Sequence, residues 1–248
     1  MLFRSASSSR IFYATHSVTL DGSNLAGVQS VSMTANTNLE PVFQLGQLGQ
    51  MELIENNPEV TITISRAIVD GCAYPLDISD ADLNLLETTL MTPSTIAIGT
   101  AYGTGFTINE CYISSYTANF SNDGVFTEDL EFIATSVTSG GAFNHRNDTK
   151  HAPRRQDFYG ISGASSASVS CSFNREAQYR LGQFQPFERT VSFPIECSVQ
   201  YGLLLPAGGT ISAAGPSPCA AGSQGIVDFS IGACDAEWTI KKIGRAHV

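Results

Sequence analysis

The chain has 248 residues, of which 42% are hydrophobic and only 15% are charged, the composition of a folded protein. Its 23 acidic side chains outnumber the 13 basic ones, and the formal net charge of −10 argues against a general nucleic-acid binder, which needs a basic surface to neutralise phosphates. The low charge and the 22 glycines favour strands and turns over surface helices.

Residues 1–10 are predicted to be a flexible N-terminal arm. They include Arg4, Arg10 and several serines without an acid, a composition that mitochondrial transit peptides share. We favour the arm because this composition specifies a transit peptide only loosely. No apolar run along the chain has the length of a membrane span.

The first predicted domain, residues 11–138, is rich in strand signals. Apolar and polar residues alternate with a period of two over residues 31–35 and 60–65, which is typical of strands with one buried face. The turn signal Asn122-Asp123-Gly124 separates two further runs and predicts a β-hairpin.

One α-helix is predicted in this domain. Residues 79–82 resemble a capping box, three leucines at 83, 86 and 90 share a helical face, and Pro93 follows. Residues 206–225, the corresponding part of the second half, are rich in Ala, Gly, Ser and Pro and predict a long loop.

Residues 139–156 are predicted to be a linker, and they contain four of the 13 basic residues of the chain. His145, Asp148 and His151 have a spacing that could meet a metal, but in a polar linker we favour solvated side chains. We hypothesise that the cations bridge the acidic outer faces of adjacent domains. The linker-contact candidates are Arg146, Lys150, Arg154 and Arg155.

An internal repeat divides the chain into two halves. Residues 27–47 and 163–183 align without a gap, and eight of the 21 positions are identical. Two shorter anchors follow in the same order, pairing residues 60–64 with 191–195 and residues 106–111 with 229–234. This pattern predicts a tandem duplication, with residues 157–248 as the second domain.

The second domain is expected to be truncated at its C-terminus. After the third anchor the first copy continues through a full hairpin, whereas the second copy has one strand, residues 235–242, and then ends. A sheet edge left open in this way is prone to improper pairing.

Catalytic sequence motifs are not found. The chain has no G-x-S-x-G elbow, Walker A loop or H-E-x-x-H motif, so we expect no enzyme and no cofactor. Six cysteines without C-x-x-C spacing argue against zinc and favour a reducing compartment. Glu128 and Asp129 are neighbours on a strand and are predicted to face opposite ways, so they form no carboxylate dyad.

Residues 45–58 are predicted to be a long connection with an unusual number of apolar side chains. Such residues need a cover, and packing within their own domain and contact with a neighbouring subunit are equally good interpretations. The subunit-contact candidates, taken from both copies, are Leu45, Leu48, Met51, Leu53, Ile54, Leu181, Phe184 and Phe187.

The spaced pattern of residues 27–47 and 60–64, with its second occurrence at residues 163–183 and 191–195, resembles phage major tail tube proteins of the duplicated-domain type. It is more distantly similar to the type VI secretion tube protein. The resemblance implies a mainly β fold of two tandem tail-tube-like β-sandwich or barrel domains, with one flanking α-helix in the first.

In that family, six domains close a ring by continuing their inner sheets, and stacked rings form a channel for DNA delivery. The resemblance therefore implies a structural virion protein in which three two-domain chains make a pseudo-hexameric ring. The implied partners are further copies of the chain and tail sheath, terminator and baseplate proteins. DNA would pass without specific binding and no membrane would be involved, and the implied location is the virion tail, assembled in the host cytoplasm.

The alternative is a tandem β-sandwich binding module, such as a virion fibre or a carbohydrate-binding protein. A module of that kind needs an exposed aromatic platform. The single tryptophan, Trp238, lies in a predicted core strand, so we favour the tube subunit.

Overall fold

The computed structural model describes residues 16–36, 39–46, 48–55, 59–69, 92–143, 152, 158–159, 164–193, 195–204, 229–233 and 236–240. Within these ranges every regular element is a β-strand, which confirms the mainly β fold. The predicted helix at residues 79–90, the four linker cations and the predicted loop at 206–225 lie outside the described residues.

The strands of the described ranges are, in chain order, β1 (His16–Leu20), β2 (Ser23–Asn24), β3 (Val28–Asn36), β4 (Leu39–Phe43), β5 (Gln50–Glu55), β6 (Glu59–Ala67), β7 (Ser94–Thr100), β8 (Phe106–Ser121), β9 (Thr127–Ala134), β10 (Ser136–Ser139), β11 (Phe158–Tyr159), β12 (Ala164–Ser172), β13 (Arg175–Gln178), β14 (Glu188–Val191), β15 (Glu196–Leu203), β16 (Phe229–Ala233) and β17 (Ala236–Ile240).

The long strand β8 organises the fold, because its two ends belong to different parts of a ten-stranded antiparallel sheet. The first end of β8 pairs with β7 and β10, and the second end pairs with β9 and β12. The predicted hairpin is confirmed, since Gly124 lies between β8 and β9 with a φ of 134° that favours glycine.

Six of these strands follow one another in the order β3-β6-β9-β8-β12-β15. The first four come from the first half of the chain and the last two come from the second half. Seven residue pairs join β8 to β12, from Ser121 opposite Ser166 to Ser115 opposite Ser172. The sheet therefore runs without interruption from one half of the repeat into the other.

One face of this six-stranded sheet is apolar and buried. Its centre is formed by Ile62, Leu130 and Phe132, all at most 1% exposed. Val169 and Phe173 from the second half belong to the same apolar cluster. The period-two alternation of the sequence thus gives the strands a shared inner face, as predicted.

The two halves also pair their strands in equivalent registers. Val28 opposite Arg66 corresponds to Ala164 opposite Leu203, and each pair is followed by the same irregularity one step further along the ladder. The hairpins β4–β5 and β13–β14 share four register pairs, since adding 136 to each residue of Leu39–Val42 and Glu52–Glu55 gives its counterpart. The fifth pair of the first hairpin, Phe43 with Gln50, follows a register shift and has no counterpart.

These registers correct two of the three sequence anchors. β15 pairs with β12 as β6 pairs with β3, so residues 60–64 correspond to 197–201 and not to 191–195. β16 lies between β11 and β17 as β7 lies between β1 and β8, so residues 229–233 correspond to β7. Short alternating strands resemble one another, and only their pairing partners distinguish them.

The predicted connection at residues 45–58 is also wrong in part. Its second half is strand β5, which pairs with β4 in a hairpin, and Leu53 and Ile54 are register partners of Pro41 and Glu40. The glycines and Pro58 obscured this strand. Pro41 is tolerated because the hairpin leaves one side of β4 free of ladder hydrogen bonds among the described residues.

Candidate assembly surfaces

In the part of the chain that the structure describes, the strand β3 is an open edge of the large sheet. Among the described residues it pairs only with β6, whereas its counterpart β12 has β15 on one side and β8 on the other. An edge strand of nine residues presents a row of unpaired main-chain donors and acceptors, which readily pairs with another strand.

The side chains of β3 are uncovered at positions that β12 buries. Met33 is 37% exposed, but its counterpart Val169 is 2% exposed. Ala35 is exposed as well, whereas its counterpart Cys171 is 2% exposed. The second half of the chain covers these positions by packing against the first half, so β3 lacks the cover that the same positions have elsewhere in the chain.

The tips of the two hairpins are apolar and exposed. Leu45 and Leu181 are equivalent residues and are 104% and 106% exposed. The same holds for the pairs Leu48 with Phe184 and Met51 with Phe187, all of which are exposed. Phe187 contacts its own hairpin, since the Arg180 guanidinium lies 3.7 Å from its ring centroid. All six side chains are nevertheless exposed, and an exposed apolar patch marks an interaction surface.

The base of the second hairpin is fastened to the first half by arginine. Arg175 donates from Nε to the carbonyl oxygen of Ile113 at 2.8 Å, and its guanidinium lies 5.3 Å from the ring centroid of Tyr112. Arg189 is 5% exposed, and its Nη1 lies 3.6 Å from a carboxylate oxygen of Glu59. The sequence reasoning missed both arginines, because arginine is usually a surface residue.

Main-chain and aromatic groups reinforce this junction. The amide of Phe173 donates to the carbonyl oxygen of Ser114 at 2.8 Å. Burial raises the pKa of the Tyr112 hydroxyl above its ordinary value, and the carboxylates of Glu110 and Glu188 act in the same direction. The contact between the halves is therefore a packed, hydrogen-bonded interface.

The face of the six-stranded sheet opposite the apolar core carries mainly hydroxyl groups, and we name it the hydroxyl face. Ser65 donates to Asp129 at 2.5 Å, and Ser115 donates to Glu131 at 3.0 Å. Its charged residues in the described strands are all acidic, because the one cation of these six strands, Arg66, is buried on the opposite face. The outward hydroxyl residues include Ser30, Ser32, Thr34, Thr61, Thr63, Ser65, Ser115, Thr117, Ser121, Thr127, Ser166, Ser168, Ser170, Ser172 and Ser198.

Glu128 and Asp129 do face opposite ways, as predicted. Asp129 lies on the hydroxyl face, whereas Glu128 is fully buried and pairs with Arg66, which is 2% exposed. The hydroxyl of Tyr116 donates to Glu128 Oε2 at 3.0 Å. This charged cluster sits within the core beside β8, and its geometry is that of a structural ion pair.

Cys171 differs from the expectation of free cysteines in a reducing compartment, because it is disulfide-bonded. The residue directly opposite on β15 is Cys197.

In the described part of the chain no group of His, Cys, Asp and Glu has the arrangement of a metal site. No helix in that part has the length and apolarity to cross a membrane.

No protein-family model matches the chain, and no curated protein matches it. Solved structures similar to it come from tails and injection systems. The sheath/tube terminator of an extracellular contractile injection system, PVC, in its extended state has 14% identity and a TM-score of 0.41, over 55% of this chain and all of that one.

A chain in the virion of a native gene transfer agent particle has 13% identity and a TM-score of 0.38, over 52% of this chain and 98% of that one. Hcp1 from Flavobacterium johnsoniae has 16% identity and a TM-score of 0.31, over 53% and 99%. At these identities and scores, the function has to be argued from the residues of this chain.

Proposed function

We propose that the chain is a structural subunit of a tail tube of the duplicated-domain type, in which stacked rings form a channel for DNA delivery. The observation that carries this proposal is the continuous sheet. β12 of the second half is inserted between β15 and β8, while its counterpart β3 has an open edge and an uncovered apolar face.

The junction inside the chain is the template for the junction between chains. β8 and β12 pair over seven residues, and the equivalence of β3 with β12 calls for a similar strand from a second copy. Repetition of a head-to-tail contact generates a ring when the rotation closes. Three chains would supply six repeats, and a closed ring leaves no free sheet edge.

The hydroxyl face is suited to line the channel. Its hydroxyls donate to the carboxylates of Asp129 and Glu131, and these acids repel a polyanion. Affinity for DNA comes mainly from cations placed against phosphates, which this face lacks in the described strands. DNA would therefore slide along it without being held.

The hairpin tips are suited to stack one ring on the next. Equivalent tip residues are apolar and exposed in both halves, so each of the six repeats would present the same contact. Stacking by a repeated head-to-tail contact extends into a filament. Leu53 and Ile54 would extend this contact along β5.

The remaining assignments belong to the same proposal. The chain would act without turnover and without a cofactor, in a virion tail assembled in the host cytoplasm, with sheath, terminator and baseplate proteins as neighbours. Arg146, Lys150, Arg154 and Arg155 would bridge acidic outer faces of adjacent domains. Reversing the charge of Arg154 and Arg155 should then weaken assembly at low salt, and unchanged assembly would remove this role.

Negative-stain electron microscopy and native mass spectrometry of the purified chain test the function. We expect hollow rings with the mass of three chains, and tubes at higher concentration. Leu48→Asp combined with Phe184→Asp should leave rings but no tubes, while the matched control Val125→Asp, at an exposed position far along the chain from both tips, should still form tubes. Monomers at every concentration would refute the proposal, and glycan binding by such monomers would favour the binding module.

A further inference from the structure

The bases of the two hairpins differ in chemistry although their tips do not. Arg175 opens β13, and the equivalent first residue of β4 is Leu39. Arg189 in β14 corresponds to Leu53 in β5. Both arginines that fasten the second half onto the first half are thus leucines in the first half.

The arginines are matched to what they contact. Arg175 meets a carbonyl oxygen and an aromatic ring, and Arg189 meets the carboxylate of Glu59. A leucine in place of Arg175 would remove the hydrogen bond to the carbonyl oxygen of buried Ile113 and the cation–π contact with Tyr112, which costs free energy. A leucine in place of Arg189 would lose only an ion pair with Glu59, whose side chain is 55% exposed and stays solvated. The first hairpin therefore does not fit the surface that the second hairpin occupies.

The first hairpin base continues the uncovered surface of β3. Leu39 is 54% exposed and stands three residues after the end of the strand that carries Met33 and Ala35. By the equivalence of the halves, these positions are the ones at which the second half contacts the first. We name Met33, Ala35 and Leu39 the β3 surface.

We propose that the β3 surface is covered by the second half of another copy of this chain, and that this junction between chains is apolar where the junction within the chain is held by arginine. The inference rests on the proposed self-assembly and adds which surface is used and with what chemistry. Around the ring, junctions within a chain, held by arginine, would alternate with apolar junctions between chains. Each first half would therefore pair with a second half and not with another first half.

Assembly of the full chain as a function of salt and of charge at position 39 tests the inference. Leu39→Arg should raise the protein concentration for half-assembly at least about tenfold, which corresponds to 1.4 kcal/mol. The control Val125→Arg places the same charge at a similarly exposed residue and should assemble like the unmodified chain. In a chain with Arg154→Gln and Arg155→Gln, which lacks the proposed linker ion pairs, raising NaCl to 0.5 M should not weaken assembly further, because an apolar contact is not screened.

Photo-crosslinking identifies the partner surface directly. A benzoylphenylalanine at position 39 in ¹⁵N-labelled chains, mixed with unlabelled chains, should yield mixed-isotope adducts in peptides from residues 157–240. The same group at position 125 should yield none.

Assembly of Leu39→Arg at the concentration of the unmodified chain, or adducts confined to peptides of the first half, would overturn the inference and leave the tube proposal intact. An unmodified chain that never associates would overturn both.

Discussion

The buried pair of Arg66 and Glu128 offers the sharpest test of the fold. Glu128 is 0% exposed and accepts hydrogen bonds from Arg66 and from the hydroxyl of Tyr116. Arg66 also lies 3.4 Å through Nη1 from the carbonyl oxygen of Ala26, while its Nη2 has no partner in the described part of the chain. The substitution Glu128→Gln tests this pair, because it keeps the size of the side chain and removes its charge.

Glu128→Gln is expected to lower the free energy of unfolding strongly, because the positive charge of Arg66 stays buried without its partner. Removing one partner of a buried ion pair costs about 3–5 kcal/mol, a large share of the free energy of unfolding of a typical domain. Tyr116→Phe removes one hydrogen bond to a charged acceptor and should cost about 1.5–3 kcal/mol. Replacing all three residues together, as Arg66→Met, Glu128→Leu and Tyr116→Phe, should cost far less than Glu128→Gln, since no buried polar group is left.

Urea unfolding followed by circular dichroism measures these differences as shifts of the midpoint at constant slope. The matched control is Glu131→Gln, which removes a carboxylate from the same strand on the half-exposed hydroxyl face and should cost less than about 1 kcal/mol. If Glu128→Gln costs no more than Glu131→Gln, the assignment of Glu128 to the core is refuted. A triple variant less stable than Glu128→Gln would refute the claim that the unpaired charge of Arg66 causes the loss of stability.

Three further predictions concern the backbone and the cysteines. Gly27 has a φ of 73°, and a Cβ added to it would lie 2.2 Å from the carbonyl oxygen of Ala67. Gly22 has a similar φ of 77°, but open space surrounds it, so Gly22→Ala should cost about 1–2 kcal/mol of stability. Gly27→Ala should therefore lower the thermal stability more than Gly22→Ala. Burial raises the pKa of the Cys111 thiol to about 12, so the unfolded chain loses this proton first and stability should fall as pH rises from about 9 to about 12. Cys111→Ala should reduce that fall by at most about 1.4 kcal/mol per pH unit in urea titrations, and an unchanged slope would contradict the burial. Peptide mass spectrometry without reductant should find Cys171 disulfide-linked, with Cys197 as the expected partner, and alkylation of Cys171 in the folded protein would contradict it.

The sequence predicted the strands better than it predicted their partners. Alternation with a period of two reports which face of a strand is buried, and it located β3, β6 and β12. It does not report which strand lies alongside, because pairing joins residues far apart in the chain. The second and third anchors were misassigned for this reason, and the apolar residues at 191–195, where β14 ends, were mistaken for those of β15.

The candidate surfaces divide along the same line. The apolar hairpin tips were identified because exposed leucines in a polar, glycine-rich stretch stand out in the sequence. Arg175 and Arg189 were not identified, since an arginine in a hairpin is normally solvated. The repeat does contain a signal for the two arginines, because leucines, Leu39 and Leu53, stand at the equivalent positions of the first half. The sequence also contains a signal for the burial of Glu128, because this residue alternates in step with the buried residues Leu130 and Phe132.

A duplicated chain permits differences that a single-domain subunit cannot have. In a ring of identical single domains every lateral junction carries the same residues, so a substitution alters all of them at once. In the proposed ring the two halves meet different neighbours, and their hairpin bases have diverged into arginine and leucine. In that ring the tips of both halves would meet the next ring, and they are apolar and exposed in both halves. A ring with two kinds of lateral contact and one kind of axial contact calls for this combination: hairpin bases that differ between the halves, and hairpin tips that are alike.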